Sequence, residues 1–238
     1  KQYYALSRYL YQNESRSVQQ ARAIALRELP NLLHAVHASL DASDPDAAEF
    51  ANNVNRFLVA FSLAREAASL RKKAEETLAT DYLVQSNLGE HLLNEGKTAA
   101  AEDVFQAILK RLGEAPTFER AVTLGRLGRC FEARGLLEQA AQTFQDSLVI
   151  CGQLQPNTSV RRQRAAILSD LADTLAGRGR FAEAREKYEE GLKVVEDLGD
   201  VRMQGVALAQ LGGLAGREGD HGDAIKRYHA ALTLFRRL

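Results

Sequence analysis

Gly177, Arg178, Gly179 and Arg180 lie inside LSDLADTLAGRGRFAEAREKYEEGL, residues 168–192. Glycine amides can approach an anion closely and arginine forks hold its oxygens, so GRGR could cradle a phosphate. His34 and His37 stand at i, i+3, a spacing that sets two imidazoles on one helical face where they could share a metal. No cysteine, third histidine or placed carboxylate accompanies them, so surface or core histidines are expected. His221 and His229 have no evident partner. Cys130 and Cys151 are the only cysteines and lack CxxC spacing; Cys130, beside Phe131, reads as a small core residue. No serine, histidine and aspartate recur as a nucleophile would require. The expectation is a protein that is not an enzyme, with no metal and no cofactor.

Composition narrows the classes further. The chain has 238 residues, 45% hydrophobic and 26% charged, as in an ordinary folded protein. Lys+Arg 31 balance Asp+Glu 31, leaving no field to draw the chain onto nucleic acid. No apolar run approaches the roughly 20 residues of a membrane helix, and no signal-peptide core is present. Two cysteines without a framework point to a reducing, cytoplasmic compartment. The missing initiator methionine suggests a piece of something longer.

GRGR must also be weighed against the elements around it. Leu168, Leu171, Ala172 and Leu175 make one apolar stripe, and Phe181, Ala184, Tyr188, Gly191 and Leu192 make another. Two amphipathic helices about a short glycine turn form an αα-hairpin. The hairpin recurs. Leu88, Leu127, Leu171 and Leu211 are spaced 39, 44 and 40 residues apart, as are Gly96, Gly135, Gly179 and Gly219, and Ala101, Ala140, Ala184 and Ala224. An aromatic, Phe105, Phe144, Tyr188 or Tyr228, follows each alanine by four. A small residue beside each leucine (Gly89, Gly128, Ala172, Gly212) is expected to meet the second-helix alanine, with the aromatic filling the seam to the next unit. The other turns read LNEGKT, EARGLL and REGDHG: the glycine stays and the charges vary. GRGR is a turn.

LGEHLLNEGKTAAAEDVFQAIL, LGRCFEARGLLEQAAQTFQDSL, LADTLAGRGRFAEAREKYEEGL and LGGLAGREGDHGDAIKRYHAAL resemble the tetratricopeptide repeat. Their long intervals are similar to those of kinesin light chains and bacterial signalling proteins. The resemblance implies an all-α fold, an α-solenoid wound as a right-handed superhelix. Four hairpins are expected at about 82–116, 117–159, 160–200 and 201–238. Residues 1–81 form a helical amino-terminal region with a degenerate hairpin, in which Val54, Leu58, Ala67 and Ala74 hold repeat-like offsets and Ser62 replaces the turn glycine. Asp44 is expected to cap a helix with Pro45 at its first position. YYALSRYLY reads as the tail of a linker helix or a cap on the first repeat. The segment from LRELPNLLHAV to KAEETLA resembles the sensor region of STAND-type signalling ATPases; the motor is missing, since no GxxxxGK[ST] stretch occurs.

In the repeat family, the concave face lined by first helices binds extended peptides or helices. Positions one before and two after each repeat leucine point there: Asn87 and Glu90, Arg126 and Arg129, Asp170 and Asp173, Gln210 and Gly213, with Asn94 and Arg217 a turn further on. Arg126 and Arg129 either meet acidic groups of a partner or pair with Asp170 and Asp173 across adjacent helices. The resemblance thus implies a protein-interaction or ligand-sensing module whose groove takes a protein or peptide, in the setting of a bacterial STAND-like regulator. Its alternatives are a freestanding adaptor of the kinesin-light-chain type and the regulatory region of a caspase-like protease or other effector enzyme. The last helix, with Tyr228, Leu232 and Phe235 on its stripe, is expected to leave an apolar edge open to self-association, neither nucleic acid nor membrane being a partner.

Overall fold

The computed structural model describes residues 1–14 and 17–237. Among them are twelve α-helices and no strand. Helices α1 (Gln2–Asn13), α2 (Val18–Asp41), α3 (Ala47–Ala60) and α4 (Ala64–Thr77) precede α5 (Tyr82–Asn94), α6 (Thr98–Leu112), α7 (Phe118–Ala133) and α8 (Leu137–Gln153). The chain continues through α9 (Thr158–Gly177), α10 (Phe181–Asp197), α11 (Val201–Arg217) and α12 (His221–Phe235). They form two compact units, Lys1–Gly89 and Glu90–Leu238, with the boundary inside α5.

In the first unit α1 packs on α2 and α3, α2 on α3 and α4, and α3 on α4. The core centres on Leu32, Val36, Leu40, Val54, Leu58 and Leu70. Leu10 of α1 joins a smaller cluster with Ala21, Ala25 and Phe57. The Tyr4 hydroxyl donates to Glu49 at 2.8 Å, and burial together with that carboxylate raises its pKa to about 12. YYALSRYLY therefore lies on the first helical layers. α2 runs through Pro30 without a break. Leu29, Leu32 and Val36 are all buried around it, which offsets the roughly 3 kcal/mol that a mid-helix proline costs.

Asp44 does not cap a helix at Pro45. α3 begins at Ala47, and the Asp44 carboxylate instead accepts the Asp46 amide at 3.0 Å, closing a turn two residues ahead of the helix. Ser62 does take the place of a turn glycine. Its φ of 59 is left-handed, its amide reaches the Val59 carbonyl, and the Leu63 amide reaches Leu58.

The second unit uses that same helix ending at each hairpin turn. Gly179, at φ 76, donates to the Ala176 carbonyl while Arg180 donates to Leu175. The paired bonds satisfy carbonyls that the ending helix would orphan, and they need a residue in the left-handed region, which glycine reaches without a steric penalty. Gly96, Gly135 and Gly219 make the same pair of bonds. First helices begin with side-chain caps: Asp81 accepts from Val84, Thr117 from Arg120, Asn157 from Val160 and Asp200 from Met203.

From α6 to α12 each helix packs on the next, and the first helices α7 and α9 also touch. The close approach between paired helices depends on small residues. A Cβ on Gly128 would stand 2.5 Å from the Phe144 ring, so the aromatic itself closes over the glycine of its own hairpin. At Gly212 the Ala224 carbonyl and the Tyr228 ring share that role, each 3.3 Å from the Cβ position. Phe144 also joins Ile167 and Leu171 of the following helix, so one ring serves both contacts.

Candidate interaction surface

The first helices place the candidate residues in two units. Asn87 belongs to the first, where its amide donates to Asn52 Oδ1 at 3.0 Å. Glu90, Asn94, Arg126, Arg129, Asp170, Asp173, Gln210 and Arg217 all belong to the second. Glu90 and Arg126 meet at 2.8 Å, linking α5 to α7. Arg129 and Asp170 meet at 2.8 Å, linking α7 to α9. Asp173 of α9 accepts from Gln210 of α11 at 3.2 Å and from the Tyr188 hydroxyl. Arg217 donates to the Ala176 carbonyl at 2.7 Å, with its guanidinium 5.2 Å from the centre of the Phe181 ring. Asn94 is exposed at the end of α5.

Both arginines thus have carboxylates within the chain, but only one pairing follows the expected register. Arg129 takes Asp170, while Arg126 reaches backward to Glu90, and Asp173 is held by neutral donors. Successive first-helix residues therefore bridge neighbouring hairpins in a run of alternating contacts. Three further side chains belong to this run: Glu132, which accepts from the Thr174 hydroxyl at 3.1 Å, and Ser169, which donates to Gln210 at 2.6 Å. Glu132, Ser169 and Thr174 lie off the offsets counted from the leucine, so periodicity alone does not select them.

Burial sets the electrostatics. It pushes Asp170 above the usual carboxylate range, against the pull of Arg129, and it raises Asp173 and Glu132 as well. It also raises Tyr188, helped by Asp173. Four carboxylates (Glu90, Glu132, Asp170, Asp173) face three guanidinium groups (Arg126, Arg129, Arg217) in this region. A cleft of about 30 Å³ opens beside it, lined by Ser169, Tyr188, Met203, Val206 and Gln210. That is about one water's volume, far below the several hundred Å³ of a small-molecule site. A surface of partly exposed forks and carboxylates suits an extended polar chain instead.

The tetratricopeptide repeat family matches residues 163–238. This segment covers α10, α11, α12 and most of α9, including Asp170, Asp173, Gln210 and Arg217. The α7–α8 hairpin, upstream of that match, has the same turn bonds and the same aromatic-on-glycine contact as the tetratricopeptide segment. No curated protein matches the sequence. Among solved structures, BtubC (BKLC) from P. vanneervenii superposes with a TM-score of 0.68 at 16% identity, over 88% of this chain and 91% of that one. The APC/C hetero-tetramer Cut9–Hcn1 gives 0.65 at 16% identity, over 96% of this chain and 43% of that one. The apo form of RapI gives 0.60 at 12% identity, over 100% and 66%. At these identities the likeness is one of fold: an all-α helical-repeat solenoid.

His34 and His37 are in α2, where burial and nearby Lys73 lower His37. No cluster of three metal-ligating side chains occurs among the described residues. Cys130 and Cys151 are free and buried, and burial raises both thiols, Cys130 to about 11. No helix among the described residues is long and apolar enough to cross a membrane.

Proposed function

We propose that the chain is a protein-interaction module whose first helices in the second unit hold a segment of a partner protein. Arg126 and Arg129 would meet acidic groups of that segment, with Glu90, Asn94, Asp170, Asp173, Gln210 and Arg217 along its path. The observation that carries this reading is the run of partly exposed charged pairs on equivalent first-helix positions. Arg129 donates through Nε to Asp170, and its side chain remains 41% exposed. A planar fork can hold two carboxylates at once, which an ammonium does less well. The finer setting, the carboxy-terminal sensor of a bacterial STAND-like regulator, rests on the resemblance carried by residues 26–79, and the cytoplasmic compartment on the two unpaired cysteines. An upstream reading frame encoding a nucleotide-binding motor would support it.

The double variant Arg126→Lys with Arg129→Lys tests the surface. It keeps a positive charge beside Glu90 and Asp170 but removes both forks. A partner recovered from native lysate and identified by mass spectrometry should then bind the purified variant at least about tenfold more weakly, the equivalent of ~1.4 kcal/mol. The melting temperature should stay nearly unchanged. Undiminished affinity would leave the arginines with a purely intramolecular role.

A further inference from the structure

The inner hairpins of the second unit define what the outer face of a second helix meets. The aromatic four residues after the repeat alanine is fully buried at Phe105 and Phe144, and 4% exposed at Tyr188. The residue eleven after it is buried at Cys151 and Val195. A following first helix does the covering: Phe144 clusters with Ile167 and Leu171, Tyr188 with Leu211 and Leu214, and Val195 with Met203. On α12 the same offsets are Tyr228 and Phe235. With Ile225 and Leu232 they form one stripe at i, i+3, i+7 and i+10, exposed by 58% (Ile225), 48% (Tyr228), 44% (Leu232) and 39% (Phe235).

The chemistry of this face differs from that of its counterparts on α6 and α10. Where Ile225 stands, α6 has Glu102, paired with Arg134, and α10 has Arg185, paired with Glu218. α12 has an isoleucine there, as α8 has Ala141, so its stripe is apolar along its whole length. One edge of the stripe is basic. On a helical wheel Arg236 and His229 fall next to Ile225, with Lys226 and Arg237 beyond them, and all four are exposed. The single carboxylate of α12, Asp223, is on the other side and is held by Arg227 at 2.8 Å and Arg185 at 3.4 Å.

We propose that this face, distinct from the first-helix surface, docks an amphipathic helix of a partner protein whose apolar stripe is edged by aspartate and glutamate. Helix-on-helix burial is the geometry that every inner copy of the face adopts. Charge complementarity selects the acidic edge, since three cations, Lys226, Arg236 and Arg237, would otherwise flank an apolar contact without partners. A second copy of the chain fits less well. Two-fold antiparallel pairing of α12 with α12 sets each basic edge against itself.

Two synthetic helical peptides test the proposal on the full 238-residue chain. Both carry the apolar residues of α11, one flanked by glutamates and the other by lysines. The glutamate peptide should bind at least about tenfold more tightly in low salt, and its advantage should shrink as salt is added. Ile225→Glu with Leu232→Glu should abolish binding while the helical signal and melting curve hold. Arg126→Lys with Arg129→Lys should leave peptide binding intact, which separates this face from the first-helix surface. Equal or reversed preference, binding to neither peptide, self-association that hides the stripe, or preferential attachment to anionic vesicles would each overturn it.

Discussion

At the scale of single residues, the account turns on partly buried charges that bridge neighbouring helices. Asp170 titrates above its ordinary range because burial disfavours its charged form, while Arg129 opposes that rise. A carboxyl whose folded pKa exceeds its unfolded value gives stability as pH falls through the interval between the two, since the folded state then binds more protons. Glu132 and Asp173 share this sign. Arg129→Ala removes the attraction and widens the interval upward. The variant should lose about 1–3 kcal/mol at pH 7, the cost of leaving a buried acceptor without its donor. It should recover more of its melting temperature than the wild type on acidification to about pH 5. A loss of the same size at both pH values would mean that Asp170 is not the group responsible. Of these pairings, Arg129 with Asp170 was legible in the sequence, as the position two after one repeat leucine beside the position one before the next. Glu90 with Arg126 repeats that relation one repeat earlier, but a reading that pairs both arginines with Asp170 and Asp173 looks only toward the following helix. The Tyr188–Asp173 bond was missed for a similar reason: periodicity marks Tyr188 as an apolar filler and is silent about its hydroxyl.

At the scale of elements, what the sequence revealed best is what backbone geometry demands. A helix that ends in a left-handed residue calls for glycine, so four glycines in step at 39, 44 and 40 residues mark four helix ends. The degenerate hairpin of α3 and α4 obeys the same geometry without glycine, because Ser62 adopts φ 59. A side chain there costs roughly 1 kcal/mol or more. Ser62→Gly should therefore stabilise the chain by about 0.5–1 kcal/mol, read as a higher denaturant midpoint at constant slope. Unchanged or lower stability would mean that the serine side chain offsets its own strain. Boundaries were harder to read than turns. Asp44 has the residue type of a cap and precedes a proline, yet the turn it closes delays α3 to Ala47. Composition favours both outcomes, and only the packing of Ala47, Ala48 and Phe50 into the core decides between them.

At the scale of the whole molecule, two compact units divide the chain, and the second presents two surfaces of unlike character. One is a run of charged pairs on first helices; the other is an apolar stripe with a basic edge on α12. Both follow from one rule: each hairpin buries one face of its neighbours and leaves a row of equivalent positions free to vary. The central claim is that the first helices hold the partner. Hydrogen exchange of the full chain, with and without the partner recovered by capture, tests it most directly. Binding should slow exchange in α7, α9 and α11, over the segments containing Arg126, Arg129, Asp170, Asp173 and Gln210, and leave α8 and α10 unchanged. Protection confined to α8 and α10, with the first helices unaltered, would contradict it.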